Sequence, residues 1–371
     1  MQVVVVGLGV QGRKRRAIAG ADVAATVDPV SGEADYRELA DVPLGVYDAA
    51  LVCTPDDAKI ELLSHLLGNG KHLLVEKPLL AADDTALERL ADMARRRAVV
   101  CYTAYNHRFE PHFVRMKEVL ESGVLGQIYL CRMFYGNGTA RDVRNSPWRD
   151  RGAGVLPDLG SHVLDTAMFW FGDLTAPFAV WSADRFENRA YDHLAFGSRG
   201  SPVLEMEITL LSWRNHFTAD VYGEHGSAHI ESLCKWGPSS FIRRTRILPS
   251  GRPPEEAITL VQADPTWSAE YEHFKGLCRG KPDTASALAS DLRLNRILSE
   301  LARGADQVFI ETCFLDVDAK LAAQSRHLTA RQAGIIARKA GASRLIPFHF
   351  SARYAGRPED LRREAEEVFR G

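Results

Sequence analysis

No Cys-x-x-Cys pair occurs in this chain, and its six cysteines, at 53, 101, 131, 234, 278 and 313, stand far apart. That spacing offers neither a disulfide framework nor a zinc knuckle, so reduced thiols in a cytoplasmic protein are expected. An excess of one charge is missing as well. Forty-six Lys and Arg stand against 48 Asp and Glu, a formal net charge of -2, and nucleic acid is therefore not implied as a general partner. No apolar run approaches the roughly 18 residues of a membrane span, and "MQVVVVGLG" has no basic segment or cleavage site before it, so no membrane partner is expected. Low-complexity linkers and internal repeats are absent too. What is present is ordinary globular composition, 46% hydrophobic and 25% charged, in 371 residues, enough for two or three domains with a large buried core.

The first stretch to carry chemistry is "VVVVGLGVQGRKRRAIAGADVAATVDP", which reads as strand, tight turn, helix and strand. Gly7, Gly9 and Gly12 have the G-x-G-x-x-G spacing. Gly7 permits the turn, Gly9 lets the backbone approach a pyrophosphate and Gly12 allows close helix–strand packing, while the helix start at Val10 and Gln11 offers free N–H groups to phosphate. Asp28 ends the second strand, 21 residues after Gly7, where a carboxylate can accept both ribose hydroxyls. It favours NAD over NADP, because the same carboxylate repels a 2′-phosphate. Arg13, Lys14, Arg15 and Arg16 read either as a solvated face or as the source of one arginine turned toward such a phosphate, which keeps NADP as the second candidate.

Strand and helix keep alternating through "YDAALVCTP", "DDAKIELLSHLLGNG" and "KHLLVEKP". Such alternation predicts a doubly wound parallel sheet with its ligand at the carboxyl ends of the strands, where Thr54, Pro55, Glu76 and Lys77 fall. Beyond it, from "GQIYLCRMFYG" to "HIESL", the pattern is long, alternating and punctuated by turns, as for a large sheet. Trp213, Phe217 and Tyr222 are read as its outer face, able to pair with another subunit.

Taken together, the glycine-rich turn, "CTP" at 53–55, "VEKP" at 75–78, "YNHRF" at 105–109, "GVLGQI" at 123–128 and "GAGVLPDLGSHVLD" at 152–165 resemble the glucose-fructose oxidoreductase, inositol dehydrogenase and MocA family as far as about residue 305. The resemblance implies an α/β nucleotide-binding domain at 1–120, then an α+β domain at 121–305 whose mostly antiparallel sheet carries substrate specificity and forms a homo-oligomer interface. It also implies hydride transfer between a nicotinamide and a secondary alcohol or ketone of a sugar, cyclitol or nucleotide sugar.

Oxidising a secondary alcohol requires a base for the hydroxyl proton while hydride leaves carbon. Asp158 and His162 are spaced i, i+4, so on a helix they share a face and the aspartate can orient the imidazole. Lys77, at a strand end, can hydrogen-bond the reacting oxygen and relay its proton. The family uses a lysine of E-K-P and an aspartate–histidine pair of D-x-G-x-H-x-x-D, and Lys77, Asp158 and His162 match these positions, with His162 as general base. Asp165 is expected to be a helix partner. Asn106 and Arg108 either line the pocket or hold the domain junction, and Trp148 and Arg149 in "SPWRDRG" would suit a sugar or an anionic group on it, unless they simply pack. His225 and His229 lack the glutamate of H-E-x-x-H, and no metal site is expected there.

The tail, residues 306–371, changes character. It is a strand ending at Glu311, a short helix, a capping box of Thr329 with Gln332, a second helix, a strand over 344–350 and a last helix with Leu361, Ala365, Val368 and Phe369 on one face. It resembles the C-terminal segment of ribonuclease Z, a metallo-β-lactamase-fold tRNA-processing enzyme. In that family the histidine matching His349 ligates metal, and the one matching His327 assists phosphodiester cleavage near a glutamate matching Glu311. The H-x-H-x-D-H cluster such a site needs is missing, since no two of the twelve histidines stand two apart. With His349 counted as the single ligand, zinc cannot be held. Eleven Lys and Arg against nine Asp and Glu add little phosphate affinity. The tail reads as a nuclease fragment, inactive unless a complementing half exists.

Overall fold

In the computed structural model, residues 1–371 are described except 57–58, 82, 147–148, 250, 281–283, 306, 340–341, 343 and 371. Five apolar runs form β1 (Val3–Val6), β2 (Val23–Val27), β3 (Ala49–Val52), β4 (His72–Glu76) and β5 (Cys101–Ala104). They pair in parallel in the order β2-β1-β3-β4-β5. β1, β3 and β5 are buried along their whole length, as a parallel sheet covered on both faces requires. Helices α1 (Val10–Ala19), α2 (Lys59–Gly68) and α3 (Asp84–Arg97) supply the crossovers, and α4 (Pro111–Glu121) leads out. Start and stop signals work as their chemistry dictates: Asp83 accepts the Ala86 N–H at the start of α3, and Ala98, at φ 53°, ends it. Because β1, β3 and β4 run in register, the turn at Gly7, the Cys53–Pro55 segment and Lys77 leave the sheet at one edge.

The second sheet follows from β6 (Ile128–Gly136). After α5 (Ala140–Arg144) and α6 (Ser161–Phe171) come β7 (Phe178–Asp184), β8 (His193–Ser198), β9 (Val203–Thr209), β10 (His216–Gly223), β11 (Gly226–Glu231), β12 (Ser239–Thr245) and β13 (Glu255–Leu260). The order is β13-β12-β11-β10-β6-β9-β8-β7, antiparallel at every pairing but β6 with β9. Strict alternation puts Cys131, Met133 and Tyr135 of β6 opposite Val221, Ala219 and Phe217 of β10 on one buried face. This corrects the expected outer face. Phe217 is fully buried against Phe113 and Tyr135, whereas Trp213 and Tyr222 are exposed. The period of two decides it, since Phe217 and Tyr222 lie five residues apart and so on opposite faces.

The chain forms two compact units, Met1–Leu298 and Ser299–Gly371; α7 (Thr266–Arg279) lies in the first, and α8 (Thr284–Ala305) begins in the first and ends in the second. Tyr271 and Phe274 of α7 pack with Val3, Val5, Leu51 and Leu74 of the parallel sheet. The second unit contains β14 (Gln307–Glu311), α9 (Ala319–Ser325), α10 (Ala330–Lys339), β15 (Arg344–Phe348) and α11 (Pro358–Arg370), with β14 and β15 parallel. The capping box is formed: Thr329 N–H donates to Gln332 Oε1 at 2.9 Å and Gln332 N–H to Thr329 Oγ1 at 3.2 Å. Leu361 and Ala365 are buried with Phe314, Ala330 and Leu345, so this short unit has a small core of its own.

Candidate functional site

The glycines of the first turn are there for space. Gly7 has φ 91°, and a Cβ on it would lie 2.7 Å from the Cys53 carbonyl oxygen, while a Cβ on Gly12 would lie 1.7 Å from the Gly7 carbonyl oxygen. Among the described residues, nothing stands within 4 Å of a Cβ built on Gly9 and no side chain caps α1. The N–H groups of Val10 and Gln11 at the start of α1 are therefore left without a partner from those residues, a cradle that fits a pyrophosphate. Asp28 closes the cradle. Its carboxylate accepts the Leu8 N–H at 2.7 Å, the Ser31 N–H at 2.7 Å and the Val30 N–H at 2.9 Å, and these bonds hold its pKa below the usual carboxylate range. Three acceptor positions are used, and a carboxylate has about four.

At the neighbouring strand ends, buried Lys59 ties the loops together, donating to Asp56 Oδ1 at 2.6 Å, the Glu76 carbonyl at 2.8 Å and the Pro78 carbonyl at 3.0 Å. Lys77 is thereby fixed between two anchored carbonyls. Its Nζ donates to Asp158 Oδ1 at 2.8 Å and to the Asp158 carbonyl at 3.0 Å, and Arg149 donates to Asp158 Oδ2 at 3.3 Å. The Lys77 ammonium holds the Asp158 carboxyl below its ordinary pKa against the effect of burial, with Arg149 adding to it.

The expected pairing of Asp158 with His162 is corrected here. Leu156–Gly160 is a π-helical turn that leads into α6, and the Asp158 carboxylate is taken by Lys77 and Arg149. The wider turn changes the i, i+4 geometry on which the pairing depended. His162 is buried, and its Nδ1 has no hydrogen-bond partner among the described residues. Its ring stacks on His107 at 4.0 Å between centroids, with Tyr105 and Tyr135 edge-on to it. Lys235 Nζ lies 3.3 Å from His107 Nε2. Burial, then Lys77 and Lys235, push the pKa of His162 well below the usual histidine value, so the ring is a neutral base at neutral pH. Burial pulls Lys235 down to about 8.

His107 and Lys235 were missed in the sequence. "YNHRF" carries His107 between two residues that had been singled out, and its role depends on the stack, which no spacing reveals. The singled-out neighbours serve the frame. Arg108 grips buried Asp165 through a fork of bonds at 2.5, 2.9 and 3.1 Å, joining the turn after β5 to α6, and Asn106 donates to Thr266 Oγ1 at 2.8 Å at the start of α7. Trp148 lies outside the described residues. The basic run on α1 is not a uniform solvated face: Arg15 is buried, 2.7 Å from Glu76 and 2.6 Å from Glu270, and Lys14 lies over the Trp267 ring at 3.6 Å. Glu76 thus directs its carboxylate at Arg15. His229 sits on a strand, bonded to Asp220 at 2.6 Å and Ser227 at 2.8 Å.

Residues 1–105 match the model of the oxidoreductase family with an NAD-binding Rossmann fold, and residues 113–229 match the GFO/IDH/MocA C-terminal domain. The chain belongs to the GFO/IDH/MocA oxidoreductase family. Levoglucosan dehydrogenase of Pseudarthrobacter phenanthrenivorans is 32% identical over 155 residues, 40% of this chain and 38% of that protein. The chain therefore matches less than half of this relative's length by sequence. A structure of levoglucosan dehydrogenase in complex with NADH superposes with a TM-score of 0.71 at 17% identity, covering 82% of this chain and 96% of the other, which shows the shared fold. Ribonuclease Z of Thermobifida fusca is 46% identical over 80 residues, 22% of this chain and 25% of that protein.

Proposed function

We propose that this GFO/IDH/MocA protein is an NAD-dependent oxidoreductase that interconverts a secondary alcohol and a ketone on a sugar, cyclitol or nucleotide sugar. The observation that carries the proposal is the Lys77–Asp158 pair at the strand ends beside a neutral, buried His162. NAD supplies the hydride acceptor when bound, and the open glycine turn with Asp28 is the surface that fits it. Lys77 holds the substrate oxygen by donating a hydrogen bond, since an ammonium can donate three and Asp158 takes two through one carboxylate oxygen and its carbonyl. His162 accepts the hydroxyl proton at a ring nitrogen. Asp158 and Arg149 fix Lys77, and the Arg108–Asp165 fork fixes the helix that carries His162.

Relatives support the sugar-like class, levoglucosan dehydrogenase and the myo-inositol 2-dehydrogenase of Thermotoga maritima among them. Homo-oligomer formation through the outer face of the large sheet belongs to the proposal, with Tyr222, opposite Leu130, on that face. The test is nicotinamide reduction by the purified chain with a panel of sugars, cyclitols and nucleotide sugars, and no turnover on any of them with bound NAD would overturn the reading.

A further inference from the structure

We infer that Cys313, His327 and His349 form a site for one divalent transition-metal ion of the borderline-soft kind, Zn2+ or Co2+. Two parallel strands deliver two of the three. β14 ends at Glu311 opposite Phe348, the last residue of β15, so Cys313 and His349 emerge at the same end of the pair. Their backbones are locked together, Thr312 N–H to the Phe348 carbonyl at 2.8 Å and Ser351 N–H to the Cys313 carbonyl at 3.1 Å. His327 comes from the loop after α9, which is held there by the Leu328 N–H on Glu311 Oε1 at 2.9 Å and by the Cys313 N–H on the Leu328 carbonyl at 3.2 Å.

One ligand atom from each of the three side chains lies within 4.8 Å of the others. Tetrahedral zinc, with bonds of about 2.0–2.3 Å, needs ligand atoms roughly 3.5 Å apart, a small closure from this arrangement. The carboxylate that such sites use behind their histidines is also in place. Glu311 Oε2 lies 3.0 Å from His327 Nδ1 and 3.2 Å from His349 Nδ1. Donation from both Nδ1–H groups to one carboxylate leaves each Nε2 with its lone pair free, the tautomer a metal requires. Three protein ligands leave a fourth position for water or an external ligand.

This set differs from the sequence reading, which counted His349 alone. Cys313 was invisible there because it has no second cysteine nearby in the chain, and only the strand pairing brings it to the histidines. A second cluster, Glu110, Cys234 and Asp264, lies in the first unit, but its groups already bond one another: Glu110 Oε2 accepts the Cys234 thiol at 3.0 Å, and Asp264 Oδ1 accepts the Thr266 N–H at 2.9 Å and hydroxyl at 2.6 Å. It serves as the control.

The experiment is titration of the metal-free full chain with Co2+, followed by visible ligand-field absorption and the near-ultraviolet thiolate-to-cobalt charge-transfer band. One cobalt per chain with a thiolate band is expected. Cys313→Ser removes the band, His349→Gln weakens binding at least tenfold, Glu311→Gln weakens it by about tenfold or more, and Cys234→Ser leaves the spectrum unchanged. His349 is exposed, so its variant tests the site without risk to the fold. Absence of a thiolate band in the wild type, unchanged affinity in His349→Gln, or loss of the band in Cys234→Ser would each overturn the inference.

Discussion

Lys77 and Asp158 are joined twice: the ammonium lies 2.8 Å from Asp158 Oδ1 and 3.0 Å from the Asp158 carbonyl oxygen. One contact depends on the carboxylate charge and the other does not. Asp158→Asn therefore keeps the lysine near its place while removing the charge that steadies it. Turnover is expected to fall about a hundredfold, on the scale of acid–base catalysis, with NAD affinity unchanged by fluorescence titration. Unaltered turnover would show that the pair has no part in the chemistry.

The His162–His107 stack predicts a pH profile. Burial first, then the cations of Lys77 and Lys235, lower the pKa of His162, so the base stays unprotonated as pH falls through its ordinary value of about 6.5. The kcat/KM for alcohol oxidation is expected to hold on the acid side to below that value. A neighbouring cation disfavours a second positive charge, so Lys235→Met raises the pKa of His162 and moves the acid limb to higher pH, while Lys235→Arg restores it. An acid limb that does not move in Lys235→Met counts against this coupling.

Breaking the Arg108–Asp165 fork leaves a carboxylate in the core whose pKa burial already raises. Arg108→Met is expected to cost about 3 kcal/mol or more in urea unfolding of the first unit, as for a buried pair that loses one partner. Arg108→Met combined with Asp165→Leu should recover part of it, because both charges are then gone. No loss in the single variant would remove the fork from the frame of the site.

NAD is expected over NADP by at least tenfold in kcat/KM, on the proposal that Asp28 meets the adenosine ribose, where its carboxylate would repel a 2′-phosphate. Asp28 also holds the Leu8 N–H of the glycine turn, so Asp28→Ser should weaken NAD binding as well as relax the preference. Equal use of both cofactors by the wild type would contradict the placement of that carboxylate.

The parallel sheet was legible because its signals are local. Gly7, Gly9 and Gly12 follow a valine strand and open a helix, and the strand ends at Thr54 and Lys77 stand where alternation puts them. The Asp158–His162 pairing was not, because the π turn at Leu156–Gly160 leaves no mark that an i, i+4 reading can see. Arg15 looked solvated within a basic run, yet Glu270 reaches it from α7, a contact across more than two hundred residues of chain that no local pattern carries. His107 and Cys313 were overlooked for the same reason. Each acquires meaning only from a side chain that tertiary packing brings to it.

The central claim is that Lys77 and His162 work on one bound alcohol, and single-turnover reduction of NAD by Lys77→Met and His162→Leu tests it most directly. With the best substrate of the panel, both variants are predicted to bind NAD as the wild type does and to reduce it at least a hundredfold more slowly. Reduction at the wild-type rate in either variant would contradict the account.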